Sequence, residues 1–208
     1  VGRAASTASV APGTDNATGC GRPLRADAAR NRAQLIEAAR QAFTERGSDA
    51  SLEDIARRAC VGIGTLYRHF PNRQALIEAV YVEEVEALCR SAGSHPELSP
   101  WDALVAWFDR FVDYVATKRA LIEEMVATIG QDAQVFRTCH DAIFAAGEPL
   151  LARAQQAGAV RPDVQFMDVI RMVSGVTMIK HAEPEEIRRV LRVALDGLRY
   201  RPAESASS

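Results

Sequence analysis

Between Gly62 and Phe70 the chain reads Gly-Ile-Gly-Thr-Leu-Tyr-Arg-His-Phe, a short run dense in hydrogen-bonding side chains. At helical periodicity Leu66 and Phe70 share one face, which leaves Thr65, Tyr67, Arg68 and His69 on the others. A hydroxyl, a phenol, a guanidinium and an imidazole together suit phosphate oxygens and base edges. Gly64 allows close approach, Ile63 and the Thr65 methyl offer apolar contact, and Arg68 has the fork that reads guanine. To do this the run must be a helix held out from the body of the protein. The residues before it supply the support. Ser51 is a good N-cap, and Asp54 is placed to reach back to it as in a capping box. Leu52, Ile55, Ala56 and Ala59 then recur on one face, and Cys60-Val61-Gly62 breaks the period. Two short helices around a tight turn would offer the second to the DNA major groove, which is ~12 Å wide.

Around this unit lie Leu35-Ile-Glu-Ala-Ala-Arg-Gln-Ala-Phe43, Gly47 and Pro71-Asn-Arg-Gln-Ala-Leu-Ile77. From Arg30 to Tyr81 the chain resembles the TetR family of bacterial one-component transcription regulators, most specifically in Gly-Thr-Leu-Tyr-x-His-Phe followed by Asn-Arg-x-Ala-Leu. The resemblance implies an all-α protein, with a three-helix helix-turn-helix DNA-binding domain followed by a helical ligand-binding and dimerisation domain, about nine helices in all. It implies a homodimer on double-stranded DNA at a palindromic operator, released by a small-molecule effector, and repression as the outcome. Tyr67, His69 and Arg73 match the family's backbone-contacting positions. The full DNA-binding set expected here is Arg30, Arg32, Ser51, Ile63, Gly64, Thr65, Tyr67, Arg68, His69 and Arg73. Cys60 departs from the family, which commonly has Gly there. A turn residue with positive φ suits Gly, so either the turn is slightly rebuilt here or Cys60 carries the ~1–2 kcal/mol cost of a Cβ in that region.

Charge is split along the chain. Residues 22–73 hold ten Arg against six acidic groups, residues 74–208 carry a net −6, and the whole chain is −2. A basic front on an acidic remainder fits a protein that meets phosphates at one end. With 48% apolar and 25% charged residues the composition is that of a globular protein. No apolar run approaches the ~18 residues of a membrane span. Val1 to Ala8 lacks the apolar stretch of a secretory signal, so a cytoplasmic protein without membrane contact is expected. Cys20, Cys60, Cys89 and Cys139 are widely spaced and form no metal-binding pattern. They read as reduced apolar thiols, with redox sensing at Cys60 or Cys89 as the alternative. Neither a metal nor another cofactor is expected.

Two rival functions stay open at this point. Glu83-Glu84, Glu123-Glu124 and Glu185-Glu186 offer carboxylates to an enzyme, but helical neighbours diverge by about 100° and read better as solvated faces. Gly-x-Ser-x-Gly, His-Glu-x-x-His and a phosphate-cradling loop are all missing from the sequence, so no enzyme is expected. The second rival is a ligand-independent DNA-binding or protein-interaction regulator.

The domain boundaries follow from composition and caps. Residues 1–25 are expected as a disordered tail, 26–73 as the DNA-binding domain, 74–200 as the ligand-binding and dimerisation domain, and 201–208 as a loose end. Helices are expected over 27–46, from Asn72 to about Ala92, Pro100 to Lys118, Leu121 to Ile129, 133–157 bent at Gly147 and Pro149, Asp163 to Lys180, and Pro184 to Tyr200. Trp107, Phe108, Phe111, Tyr114, Met125, Ile129, Phe136, His140, Phe144 and Met172 are candidates for lining an apolar cavity. Ile170, Val173, Val176, Thr177, Ile187, Val190, Leu191, Ala194 and Leu198, on the last two helices, are the candidates for a dimer face.

Overall fold

The structure, a computed structural model, describes residues 22–130, 133–179 and 183–199. Among them eight α-helices follow in order: α1 (Arg22–Arg46), α2 (Leu52–Arg58), α3 (Ile63–His69), α4 (Arg73–Ser91), α5 (Pro100–Ile129), α6 (Gln134–Gln156), α7 (Phe166–Thr177) and α8 (Pro184–Asp196). The described residues form no strand, only an isolated antiparallel bridge between Val160 and Arg199. The architecture is all-α. Most of the expected N-terminal tail, residues 1–21, and the expected C-terminal end, 201–208, lie outside the described residues.

The front unit is built from caps and buried stripes. Leu35, Ile36, Ala39, Ala42 and Phe43 bury one face of α1, and Gly47 ends the helix at φ +54°. Ser51 caps α2, its Oγ accepting the Asp54 N–H at 3.1 Å. The expected return bond from Asp54 does not form. Its carboxylate is instead held by Arg57, by Arg58 at 2.9 Å and by Arg46 at 3.6 Å. The bond from Arg57 and the charges of Arg58 and Arg46 keep this carboxyl below its ordinary pKa.

The turn between α2 and α3 explains the Cys60 departure. Cys60 is the one described non-glycine residue with positive φ, at 55°. Its N–H donates to the Arg57 carbonyl at 3.1 Å, and the Val61 N–H donates to Ala56 at 3.0 Å. This is the Schellman pairing that closes a helix through a left-handed residue, the place glycine normally takes. The turn keeps the glycine geometry and carries a side chain in it.

Two expectations in the second half are corrected. The helices expected at Pro100–Lys118 and Leu121–Ile129 are one helix, α5, of 30 residues, ~45 Å long at ~1.5 Å per residue. The junction, Arg119-Ala120, contains no glycine or proline, and the buried stripe runs on through Leu121 and Met125. Among the described residues eight helices therefore stand where about nine were expected. Asp163 does not open α7, because its carboxylate is bound by Arg161 at 2.6 and 2.7 Å. The helix starts three residues later, where the Gln165 N–H donates to Asp168 at 3.2 Å. Gly147 has a packing role: a Cβ there would lie 2.7 Å from Phe166 Cε2 and 2.8 Å from Trp107 Cη2. A bare backbone lets α6 sit against both rings.

One core runs through the molecule. α4 carries Leu76, Ile77, Val80, Val85 and Leu88, all buried, and packs on α1, α5 and α6. It joins the helix-turn-helix unit to the bundle behind.

Candidate nucleic-acid interface and ligand cavity

On α3, Leu66 is fully buried and Phe70, just past the helix, is nearly so; both pin the helix inward. The opposite side is open. Ile63 and Tyr67 are 39% and 46% exposed, high values for large apolar-bodied side chains, and Gly64 and Arg68 are exposed beside them. A Cβ at Gly64 would meet nothing within 4 Å, so its bareness serves no internal packing. Thr65 and His69 are half-buried at the edges of this face. Arg68 folds back along its own helix, with Nε on the Gly64 carbonyl at 3.3 Å and Nη2 on Thr65 Oγ1 at 3.4 Å. The longer of these is a weak bond that a better acceptor displaces.

Around α3 the expected residues divide. Ser51 is exposed, and since its oxygen accepts the cap bond its proton remains for donation outward. Arg32 is exposed and stacks 5.7 Å from the Phe70 ring centroid, with no carboxylate partner among the described residues. Arg30 is exposed too, paired with Asp27. Arg73 is placed differently. Its guanidinium donates to the Ala50 carbonyl and, at 3.0 Å, to that of Ser48, and it stacks 4.9 Å from the Phe43 centroid. It ties the start of α4 to the loop before α2, fixing the approach of the whole unit.

Behind this unit lies a cavity of about 710 Å³ between α4, α5, α6 and α7. Of the cavity residues expected from the sequence, Phe111, Tyr114, Phe136, His140 and Phe144 line it. Trp107, Phe108 and Met125 do not. They are at most 1% exposed and fill the solid core, where Trp107 Nε1 donates to the Leu88 carbonyl at 3.2 Å. Met172 packs on the core outside the cavity lining, and the side chain of Ile129 lies outside the described ones. Sequence reasoning missed Tyr81 on α4, and Val115, Lys118, Arg119, Ile122 and Val126 on α5. The last five fall on one helical face, at spacings of three or four from Phe111 onward with Lys118 and Arg119 adjacent, and extend the Phe111 stripe, a signal hidden by the break expected in α5. Ile143, Ile170, Ser174, Thr177 and Met178 complete the wall.

The cavity has a polar seam. The Tyr81 and Tyr114 hydroxyls stand 3.4 Å apart, and burial pushes both phenols above their ordinary pKa, so both stay neutral. His140 lines the mouth from an exposed position, stacked on Phe144 at 4.4 Å, rather than hiding a polar tip inside.

Ion pairs join the two halves. Glu84 on α4 is 6% exposed, against the expectation of a solvated doublet, because it faces Arg40 of α1 and Arg110 of α5, each at 3.6 Å. Arg110 lies 3.8 Å from Asp113, which Arg188 of α8 grips at 2.6 Å. The residues expected at a dimer face lie at different depths. Val173, Thr177, Leu191 and Leu198 are at most 8% exposed within one protomer, Ile170 and Thr177 line the cavity, and Val176, Ile187 and Ala194 are half-buried. Val190 at 38%, Val193 at 72%, Met178 at 62% and Ile179 at 41% are the large apolar side chains left open on this side.

A helix-turn-helix unit with an exposed, polar second helix, set on an all-helical bundle, defines a DNA-binding transcriptional regulator. The model of bacterial regulatory proteins of the tetR family matches residues 35–80, and that of the SbtR-like transcriptional regulator C-terminal domain matches residues 99–200. A TetR transcriptional regulator of Streptomyces coelicolor is similar in structure, at 38% identity and TM-score 0.74 over 81% of this chain and 98% of that one. A TetR regulatory protein of Mycobacterium vanbaalenii gives 37% and 0.69 over 85% and 99%. The HTH-type transcriptional regulator UidR of Escherichia coli K12 is 28% identical over 85% of this chain and 93% of its own. The chain belongs to the TetR family of bacterial transcriptional regulators. These relatives are regulators rather than enzymes, and no helix among the described residues is long and apolar enough to cross a membrane.

Proposed function

We propose that this protein is a cytoplasmic repressor that binds a palindromic operator as a two-fold dimer and releases it when a small, largely apolar or aromatic molecule fills the cavity. The observation that carries this reading is the placement of α4. Its N-terminal end is tied to the loop before α2 by Arg73, and its middle puts Tyr81 in the cavity wall. A ligand that prefers a shifted α4 therefore acts on the attitude of α3 through one continuous helix. Coupling of this kind is typically ~1–3 kcal/mol, or ~5–150-fold in affinity.

Exposed Met178, Ile179, Val190 and Val193 support pairing through the α7–α8 side. A two-fold dimer would then set two α3 helices one DNA turn apart, ~34 Å. Tyr67, His69 and Ser51 would grip phosphates, with Arg30 and Arg32 on the flanking strand. Ile63, Gly64, Thr65 and Arg68 would meet base edges.

The test is an unbiased selection from random duplexes with purified protein, followed by footprinting and sedimentation. A palindromic site protected by a dimer is expected, with protection lost on adding a cavity-binding molecule. A stable monomer, or no preferred duplex at moderate salt, would overturn the DNA-binding half. Protection indifferent to every cavity-binding compound would favour a ligand-independent regulator.

A further inference from the structure

Among the charged groups of the cavity, Lys118 stands apart. It is half-buried on α5, in the middle of the lining stripe, with Phe111, Val115, Ile122 and Val126 before and after it. Its Nζ lies 5.9 Å from the Tyr114 ring centroid, and it makes no ion pair or hydrogen bond among the described residues. The other basic side chains of the lining are engaged elsewhere. Arg119 is exposed and donates to the Thr177 carbonyl at 3.0 Å, and His140 sits at the mouth 3.6 Å from Asp141. None of the described lining residues is an aspartate or glutamate.

We propose that the molecule taken up by this cavity carries an anionic group (a carboxylate, sulfonate or phosphate) held by Lys118, with an apolar body packed against Phe111, Phe136 and Phe144. The inference rests on the cavity being the effector site and goes further by fixing the charge of the effector. An ammonium drawn into apolar surroundings without a counter-ion is costly. Burial accordingly pushes the Lys118 amine below its ordinary pKa. An incoming anion relieves that cost, and its own desolvation is offset by a short, charge-assisted contact. A neutral ligand leaves the cation unrelieved, and a cationic ligand adds repulsion. The phenol pair of Tyr81 and Tyr114 supplies neutral hydroxyl groups beside it.

The test uses the full chain and two probes with one ring skeleton, 8-anilino-1-naphthalenesulfonate and its neutral counterpart N-phenyl-1-naphthylamine, in titrations followed by fluorescence and calorimetry. The wild type is expected to bind the sulfonate at least tenfold more tightly. Lys118→Met should remove that ratio while keeping the neutral probe within about twofold, and Lys118→Arg should retain it. If Lys118→Met does not fold, Lys118→Gln takes its place. Ile122→Trp, which fills the cavity, should weaken both probes. A ratio that survives Lys118→Met, or a wild type that prefers the neutral probe, overturns the inference and leaves the cavity reading standing. Binding of neither probe, or binding untouched by Ile122→Trp, overturns both together.

Discussion

Replacing Cys60 by glycine should make the protein more stable. Cys60 sits at φ 55° in the closing turn of α2, and its thiol is exposed, with a 3.9 Å approach to the Arg58 carbonyl. Removing the side chain therefore forfeits almost no packing. It relieves the cost of holding a Cβ in the left-handed region, ~1–2 kcal/mol. Against this, glycine widens the unfolded ensemble, a loss of ~0.4–1 kcal/mol. The net gain is about 0–1.6 kcal/mol and centres near ~0.8 kcal/mol, a rise in Tm of roughly 2–3 °C for a chain of this size. Cys60→Ala keeps the Cβ and should stay within ~0.5 kcal/mol of the wild type. Thermal and urea unfolding at one fixed protein concentration measure both, since association shifts apparent stability. Should Cys60→Gly be destabilising, or should Cys60→Ala gain as much, the strain argument fails. In either case the Schellman pairing would not be what the side chain opposes.

Three other substitutions test separate parts of the structure. Gly147→Ala pushes a methyl into Phe166 and Trp107; overpacking of ~1–3 kcal/mol, less the ~1 kcal/mol helix gain, leaves a loss of about 0–2 kcal/mol in urea unfolding. Burial pushes the Glu84 carboxyl above its ordinary pKa, against the pull of Arg110 and Arg40. The folded state thus holds that proton more tightly than the unfolded chain, and Glu84 costs stability as pH rises from the ordinary carboxylate value through the raised one. The unfolding free energy of wild type minus Glu84→Gln should fall across that window; a flat difference would remove burial as the cause. At the DNA face, Tyr67→Ala should weaken every operator alike, whereas Arg68→Ala should erase ~1–3 kcal/mol of preference at one base pair. Isotherms on single-base operator variants separate the two, and a uniform loss from Arg68→Ala would reassign it to the phosphates.

The front half was nearly complete in the sequence. Ser51, Asn72 and Ser99 each cap the helix they announce, and the stripes of α1 and α4 bury the residues their spacing selects. Even the odd residue of the turn declared itself, because Cys60 occupies a position whose φ only glycine adopts freely. Caps, stripes and turns are local: their interactions span three to five residues, and a sequence displays them directly.

What one helix does to another was not legible. Trp107 and Phe111 look alike on a helical wheel, yet one is locked in solid core by Gly147 and Phe166 and the other faces the cavity. Glu84 reads as a surface acid until Arg40 and Arg110 arrive from helices 44 and 26 residues away. Lys118 carries no mark in the sequence of the cavity it lines together with residues of α6 and α7. Periodicity says which face turns inward but not what meets it there. That is settled by packing between elements distant in the chain, so the caps and buried stripes of the front half belong to the sequence, while the cavity and the setting of Lys118 within it belong to the tertiary structure.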